Sequence, residues 1–215
     1  MYQALKDRHR RERDSYSQAL SLRIHRALSW LHRAEMCDDL DSRYIFLWIA
    51  FNAAYAQDFD YKAEYGERGL YQEFLSKIIS LDNKNKLSEI VWSQYSTSIR
   101  LILDNEFVLQ AFWRYQSGDI SKAEWKDELL KAKIAANKAL SSGDTVTVLS
   151  VVFSRLYTLR NQLIHGGATY NSSANRSQVR DCTAVLESVV PTIISLMMDG
   201  SDELWGDAVY PLIVA

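Results

Sequence analysis

The sequence predicts an all-α protein, and three observations support this fold class. Only two of the 215 residues are proline and eight are glycine, whereas 47% are apolar. Apolar residues recur at steps of three and four along several long segments, which is the spacing of one helix face. Ser-Gly-Asp at residues 117–119 and Ser-Ser-Gly-Asp at residues 141–144 separate such segments, as expected of connections between helices. This length suits a single domain over residues 1–215.

The first two predicted core helices cover about residues 15–37 and 42–57. One face of the first is apolar and carries Leu20, Ile24, Ala27, Leu28, Leu31 and Ala34. The acidic cluster at residues 38–41 is expected to form a turn and an N-cap, with a pair of catalytic carboxylates as the alternative. The buried stripe of the second helix consists of Tyr44, Leu47, Trp48, Phe51 and Tyr55.

Asn52 falls on the stripe of the second helix. A buried amide without hydrogen-bond partners costs about 1–3 kcal/mol, so Asn52 is expected to contact something specific. Either it holds a neighbouring backbone segment or it contacts a ligand.

A helical insertion is predicted at about residues 59–143, between core helices two and three. Helical spacing extends over residues 70–81, 86–116 and 120–140, with a break near Asp104 and Asn105. The core of the domain would then consist of about residues 15–58 and 145–199.

The third core helix is predicted to begin after Asp144 and to end at His165. Its β-branched start favours a strand by composition. However, a stripe with steps of three and four predicts a helix, and it consists of Val148, Val152, Leu156, Leu159 and Leu163. A last helix is expected from a cap at Ser173 to about Met198, with a kink or local opening at Pro191. The apolar residues of the tail, 200–215, are expected to dock on the body, and they are Trp205, Tyr210 and Leu212.

The end of the third core helix carries Arg160, Asn161 and His165, directly before Gly166 and Gly167. Asn161 and His165 are four residues apart and share a helix face, and Arg160 is long enough to reach the same pocket. A cation, an amide and an imidazole could together hold a phosphate and transfer protons without a metal. Alternatively, His165 only complements the helix dipole at this terminus.

A second pair, Arg26 and His32, has similar spacing but lies mid-helix, with neither an amide beside the Arg nor a glycine terminator. We therefore expect no site there.

The charge of the chain is unevenly distributed. Residues 1–33 carry eight basic and three acidic side chains, which gives this segment a net charge of +5. Because the net charge of the whole chain is −2, the remaining residues carry −7. Such a segment, with Arg10 and Arg11 in its first third, can attract a polyanion. The alternative is a solvated helix face that pairs with acidic residues elsewhere.

Several classes of protein are excluded because the sequence lacks their characteristic motifs. The sequence has no phosphate-binding glycine loop, no nucleophile elbow and no H-E-x-x-H zinc motif. Cys37 and Cys182 form neither a disulfide framework nor a metal-ligand spacing. The apolar stretches are too short to cross a bilayer, and the N-terminus does not resemble a signal peptide. We therefore expect a cytoplasmic protein with no metal, no cofactor and no membrane partner.

Two segments resemble the HEPN superfamily, especially its Apea-like and Abi-like branches. The residues 44–55, YIFLWIAFNAAY, resemble its second helix, and residues 160–166, RNQLIHG, are similar to its R-x(4–6)-H motif. The resemblance covers about residues 15–58 and 145–199. It implies an antiparallel helical bundle, with a helical insertion between core helices two and three, that forms a homodimer in which two motifs face one cleft.

The same resemblance implies a metal-independent endoribonuclease that cleaves RNA by attack of its own 2′-OH, often a toxin or anti-phage effector. His165 would be the acid/base group, Arg160 the phosphate clamp and Asn161 the positioning amide. The further candidates for binding RNA are Arg155, Asn52, Arg10 and Arg11. The alternative is a non-catalytic module that binds RNA, a nucleotide or a partner such as a nucleotidyltransferase-type antitoxin.

Overall fold

Ten α-helices lie in the part of the chain that the structure, a computed structural model, describes: residues 1–56, 71–203, 205, 206 and 208. No strand occurs among these residues, which confirms the all-α prediction. The helices are α1 (Tyr2–Glu12), α2 (Gln18–Glu35), α3 (Leu40–Tyr55), α4 (residues 71–80), α5 (Lys86–Glu89), α6 (Ser96–Asp104), α7 (Gln110–Gln116), α8 (Lys122–Ser142), α9 (Thr145–Ile164) and α10 (Arg176–Asp199).

The centre of the fold is formed by α2, α3, α9 and α10. A short turn joins α2 to α3, which pack against each other over most of their length, and α10 contacts both. Aromatic rings join α3 to α9, because Phe51 and Phe153 stack with their centroids 4.2 Å apart, and Trp48 lies beside them. The stripes predicted for these helices are therefore the core.

The acidic cluster between α2 and α3 has the structural role that capping predicts. The Asp39 carboxylate accepts a hydrogen bond from the Ser42 N–H at 2.8 Å and caps α3. Asp41 is largely buried and pairs with Arg176 at the start of α10, with 2.6 Å between nitrogen and oxygen. These contacts assign capping and pairing roles to the two carboxylates, in place of the catalytic alternative.

The first helix, α1, is an element that the sequence analysis did not predict. It packs against α2 and the C-terminal end of α10, where Arg8 forms an ion pair with Asp199 at 2.8 Å. Arg8 also binds Glu12, which accepts a hydrogen bond from the Tyr16 hydroxyl at 2.6 Å. At least part of the basic segment therefore pairs with acidic residues on the body, as the second interpretation of its charge expected.

The middle helices, α4 to α8, lie between α3 and α9 in sequence. The predicted break near Asp104 is confirmed, since α6 ends there and the Asn105 side chain caps a short turn by accepting from the Phe107 N–H at 2.9 Å. A further interruption at Tyr95 divides the predicted segment 86–116 again. Ser121 and Glu124 form a capping box at the start of α8.

The last helix, α10, begins after a short turn that is capped by Ser172, one residue before the predicted cap. The helix is continuous through Pro191. By length and composition Ser173–Asp199 could cross a membrane, but 72% of its most apolar window is buried inside the protein, as in a core helix. Trp205 is buried against Phe74, which confirms docking at that residue; the other two apolar tail residues, Tyr210 and Leu212, lie outside the described residues.

Candidate functional site

The end of α9 is closed by two backbone hydrogen bonds of the Schellman type. The Gly167 N–H donates to the Gln162 carbonyl at 2.7 Å, and the Gly166 N–H donates to the Leu163 carbonyl at 3.3 Å. Gly166 has a φ of 70°, in the left-handed region that favours glycine. His165 is the C-cap residue, so the predicted end of this helix is confirmed.

A groove of about 270 Å³ opens beside this helix end. It lies between α9 and α7, and its lining residues are Gln110, Trp113, Tyr157, Thr158, Asn161, Gln162, His165 and Gly167. Asn161 and His165 therefore share one surface, as their spacing predicts. A larger cleft of about 370 Å³ lies between α6 and α8, but none of the motif side chains lines it.

Arg160 is half-buried and does not itself line the groove. Its guanidinium donates to the Asn161 side-chain oxygen at 2.9 Å, and it is not among the residues that line the groove. Burial raises the pKa of the Tyr44 phenol well above its ordinary value, Cys182 adds to this rise, and the nearby charge of Arg160 opposes it. Arg160 thus lies on the core side of α9, and its connection to the groove passes through Asn161.

One backbone carbonyl connects the two walls of the groove. The Phe107 carbonyl accepts a hydrogen bond from the Trp113 indole N–H at 2.7 Å and another from the Gln162 side-chain amide at 2.7 Å. The first donor belongs to α7 and the second to α9. This shared acceptor fixes the orientation of the indole relative to the motif.

His165 is exposed at the mouth of the groove. Its ring makes no hydrogen bond to any other residue that the structure describes, whereas its backbone N–H is bonded to the Asn161 carbonyl at 3.0 Å. The imidazole is therefore accessible to a ligand, while its backbone is held in place.

Arg155 and Asn52 do not lie at the groove. The Arg155 side chain is only 4% exposed, so the prediction that it contacts substrate disagrees with its burial in the core. The reason is that the first half of α9 is buried on nearly every side. Asn52 is half-buried rather than fully buried, and its side chain makes no hydrogen bond to a described residue. It lies about 100° around α3 from the buried Phe51.

The predicted RNA-binding residues Arg10 and Arg11 lie on α1, not on the helices that form the groove. Both are exposed on α1, which Arg8 anchors by a hydrogen bond of 3.2 Å to the Ser195 carbonyl, near the end of α10. Cys182, which lines a cavity together with Val108, the residue after the carbonyl that Gln162 binds, is about 20 Å along α10 from that point. Arg10 and Arg11 thus lie on a different helix from the groove and do not line it, and their contact with RNA stays a prediction.

Several residues of the groove were not singled out from the sequence, among them Tyr157, Gln162 and Trp113. Tyr157 is four residues before Asn161, so continuing the helical step backwards would have found it. Gln162 directly follows Asn161 within the motif. Trp113 carries no such signal, because it is far from α9 in sequence and reaches it only through the packing of α7.

Among the described residues, no group of three or more His, Cys, Asp and Glu side chains could hold a metal ion. No family model, curated protein or solved structure matches this chain. The residues of the groove are therefore the basis on which a function is assigned.

Proposed function

We propose that this protein is a metal-independent endoribonuclease of the HEPN type that cleaves RNA by attack of a 2′-OH on the adjacent phosphate. The observation that carries the proposal is that Asn161 and His165 line one groove while Arg160 donates to Asn161. The order of these residues before Gly166 adds the resemblance to the R-x(4–6)-H motif. In this view the middle helices are an insertion in a HEPN-type bundle.

The reaction requires a base, an acid and stabilisation of a charged phosphorane. A base removes the 2′-OH proton, the 2′ oxygen bonds to phosphorus, and the bond from phosphorus to the 5′ oxygen breaks as that oxygen takes a proton. The products are a 2′,3′-cyclic phosphate and a 5′-OH. His165 is the acid/base group, whose contribution is typically about 10²–10⁴ in rate. The Asn161 amide group can donate to a phosphoryl oxygen, since Arg160 already binds its oxygen.

We propose further that two copies of the chain supply two His165 imidazoles to one cleft, one as the base and one as the acid. Apolar side chains exposed around the motif support a contact with a second copy, and they include Phe107 (45% exposed), Ile164 (47%) and Tyr170 (73%). A toxin or anti-phage effector in the cytoplasm is the biological setting proposed, with a nucleotidyltransferase-type protein as the candidate antitoxin.

The test is cleavage of diverse RNAs in excess EDTA by the wild type and by His165→Ala. We expect the wild type to release cyclic-phosphate ends and His165→Ala to be at least about 10²-fold slower. His32→Ala is the matched control, because His32 is also exposed and lies six residues after Arg26. This variant should cleave at the wild-type rate. A wild type that leaves every RNA intact, or a His165→Ala variant of equal rate, contradicts the proposal.

The position of Arg160 favours a second candidate function. Its guanidinium does not line the groove, as expected of a residue that only stabilises the helix end. The groove would then belong to a non-catalytic module that binds RNA, a nucleotide or a protein. RNA binding or partner capture that persists in Arg160→Ala and His165→Ala, together with no cleavage by the wild type, would establish this function.

A further inference from the structure

We infer that the groove between α7 and α9 is a nucleobase-binding subsite in which Trp113 is the stacking residue. The inference rests on the proposed function, because it takes RNA as the molecule that His165 and Asn161 act on. It assigns a role to the middle helices, which supply the aromatic wall of the site.

The Trp113 indole has the properties of a stacking surface. It is 39% exposed, it lines the groove, and its N–H bond to the Phe107 carbonyl holds the ring in one orientation. Aromatic side chains held at the surface are the usual platforms for unpaired bases of RNA. Because the indole N–H is already bonded, the ring contributes its apolar surface rather than a hydrogen bond.

The size and lining of the groove match one planar base. Its volume of about 270 Å³ is slightly below the range of about 300–1,000 Å³ that is typical of sites for whole drug-sized ligands. Tyr157 adds a second aromatic side chain, and the amides of Gln110 and Gln162 offer hydrogen bonds to a base edge. None of the described residues that line the groove is acidic, so nothing there repels the phosphate that would follow the base.

An apolar peptide side chain is the other occupant that such a groove could accept. The base is favoured because Asn161 and His165 belong to the same lining, and these are the residues that the proposed function assigns to the scissile phosphate. A base bound beside Trp113 would thus be attached to one of the two nucleotides that flank the bond to be cleaved.

The experiment measures binding of a single-stranded 2′-O-methyl RNA 12-mer, which cannot be cleaved by attack of a 2′-OH. Trp113→Ala should weaken its binding by roughly 5- to 150-fold, the effect of one stacked base. Trp113→Phe should retain most of the affinity, and Trp113→Leu should lose it while preserving apolar bulk. Trp30→Ala is the matched control, because Trp30 is 38% exposed on α2 and should bind as the wild type does.

A 12-mer of the same backbone without bases separates stacking from charge, and the wild type and Trp113→Ala should bind it equally. If Trp113→Ala and Trp113→Leu bind the 2′-O-methyl RNA as tightly as the wild type, or if the wild type does not bind it, the inference is overturned. Cleavage that depends on His165 would leave the proposed function intact in that case. Conversely, binding that depends on Trp113 in a protein without cleavage supports the subsite and contradicts the proposed catalysis.

Discussion

Gly166 offers a test of how the end of α9 is held. It has a φ of 70°, and a Cβ atom added there would meet no other atom within 4 Å. Gly143, at the end of α8, has a φ of 68° and equally open surroundings. Both Gly166→Ala and Gly143→Ala should therefore lower the free energy of unfolding only through the left-handed backbone, which costs an L-residue about 1–2 kcal/mol.

This cost converts to a measurable change in thermal stability. For a domain of this size a loss of 1 kcal/mol lowers the melting temperature by about 2–4 °C, so either Ala variant should melt roughly 2–8 °C below the wild type. Gly166→Asn should recover much of this loss, because asparagine adopts the left-handed region more readily than alanine. Thermal unfolding followed by circular dichroism measures both effects.

The two glycines should differ in their effect on the RNA cleavage that we propose. Gly166 and Gly167 close the helix directly after His165, so a rearranged turn would move the imidazole. Gly143 precedes α9, which at 20 residues is about 30 Å long, and so lies far from the motif. Only Gly166→Ala should slow cleavage beyond the loss of folded protein. Equal cleavage by the two variants, or a wild-type melting temperature in Gly166→Ala, would refute this reasoning.

Two further predictions concern stability. Asp41→Asn breaks a largely buried ion pair with Arg176 and should lower the free energy of unfolding in urea by about 1.5–3 kcal/mol; an unchanged urea midpoint would argue against it. Burial lowers the pKa of His9 below its ordinary value of 6.5, and so do three basic neighbours, Lys6, His25 and Arg13. Because the unfolded chain then binds more protons, the folded state should lose stability as the pH falls from 6.5 towards the lower folded-state pKa. His9→Gln should show a smaller drop in melting temperature between pH 7.5 and 5.5, and an equal drop would exclude this explanation.

The sequence predicted those parts of the site that depend on neighbours along one helix. The steps of three and four after Asp144 identified α9 against its β-branched composition, and Gly166 marked its end. The shared face of Asn161 and His165 followed from the same geometry. These features are local, since helix periodicity and a left-handed terminator act over a few residues.

Side chains whose surroundings depend on tertiary packing were predicted poorly. Arg155 was expected at the substrate, yet other elements cover almost all of the first half of α9, and the residue is buried there. Arg160 was expected to reach the groove; it does not line the groove itself but donates a hydrogen bond to Asn161, which does. Arg10 and Arg11 were grouped with the motif by charge alone, which contains no information about position.

The opposite wall of the groove shows why Trp113 had no signal in the sequence. Its indole is held by the Phe107 carbonyl, which also accepts from Gln162, so the contact joins two helices that are distant in the chain. The acceptor is a backbone carbonyl, which every type of residue has, so the sequence at position 107 shows no pattern that would reveal it. The contact is specified by the two donor side chains, Trp113 and Gln162, and neither is unusual by itself in the sequence. The pairing of Trp113 with the motif therefore becomes visible only when α7 and α9 are packed together, and substitutions of the donors should disturb the groove more than substitution of Phe107.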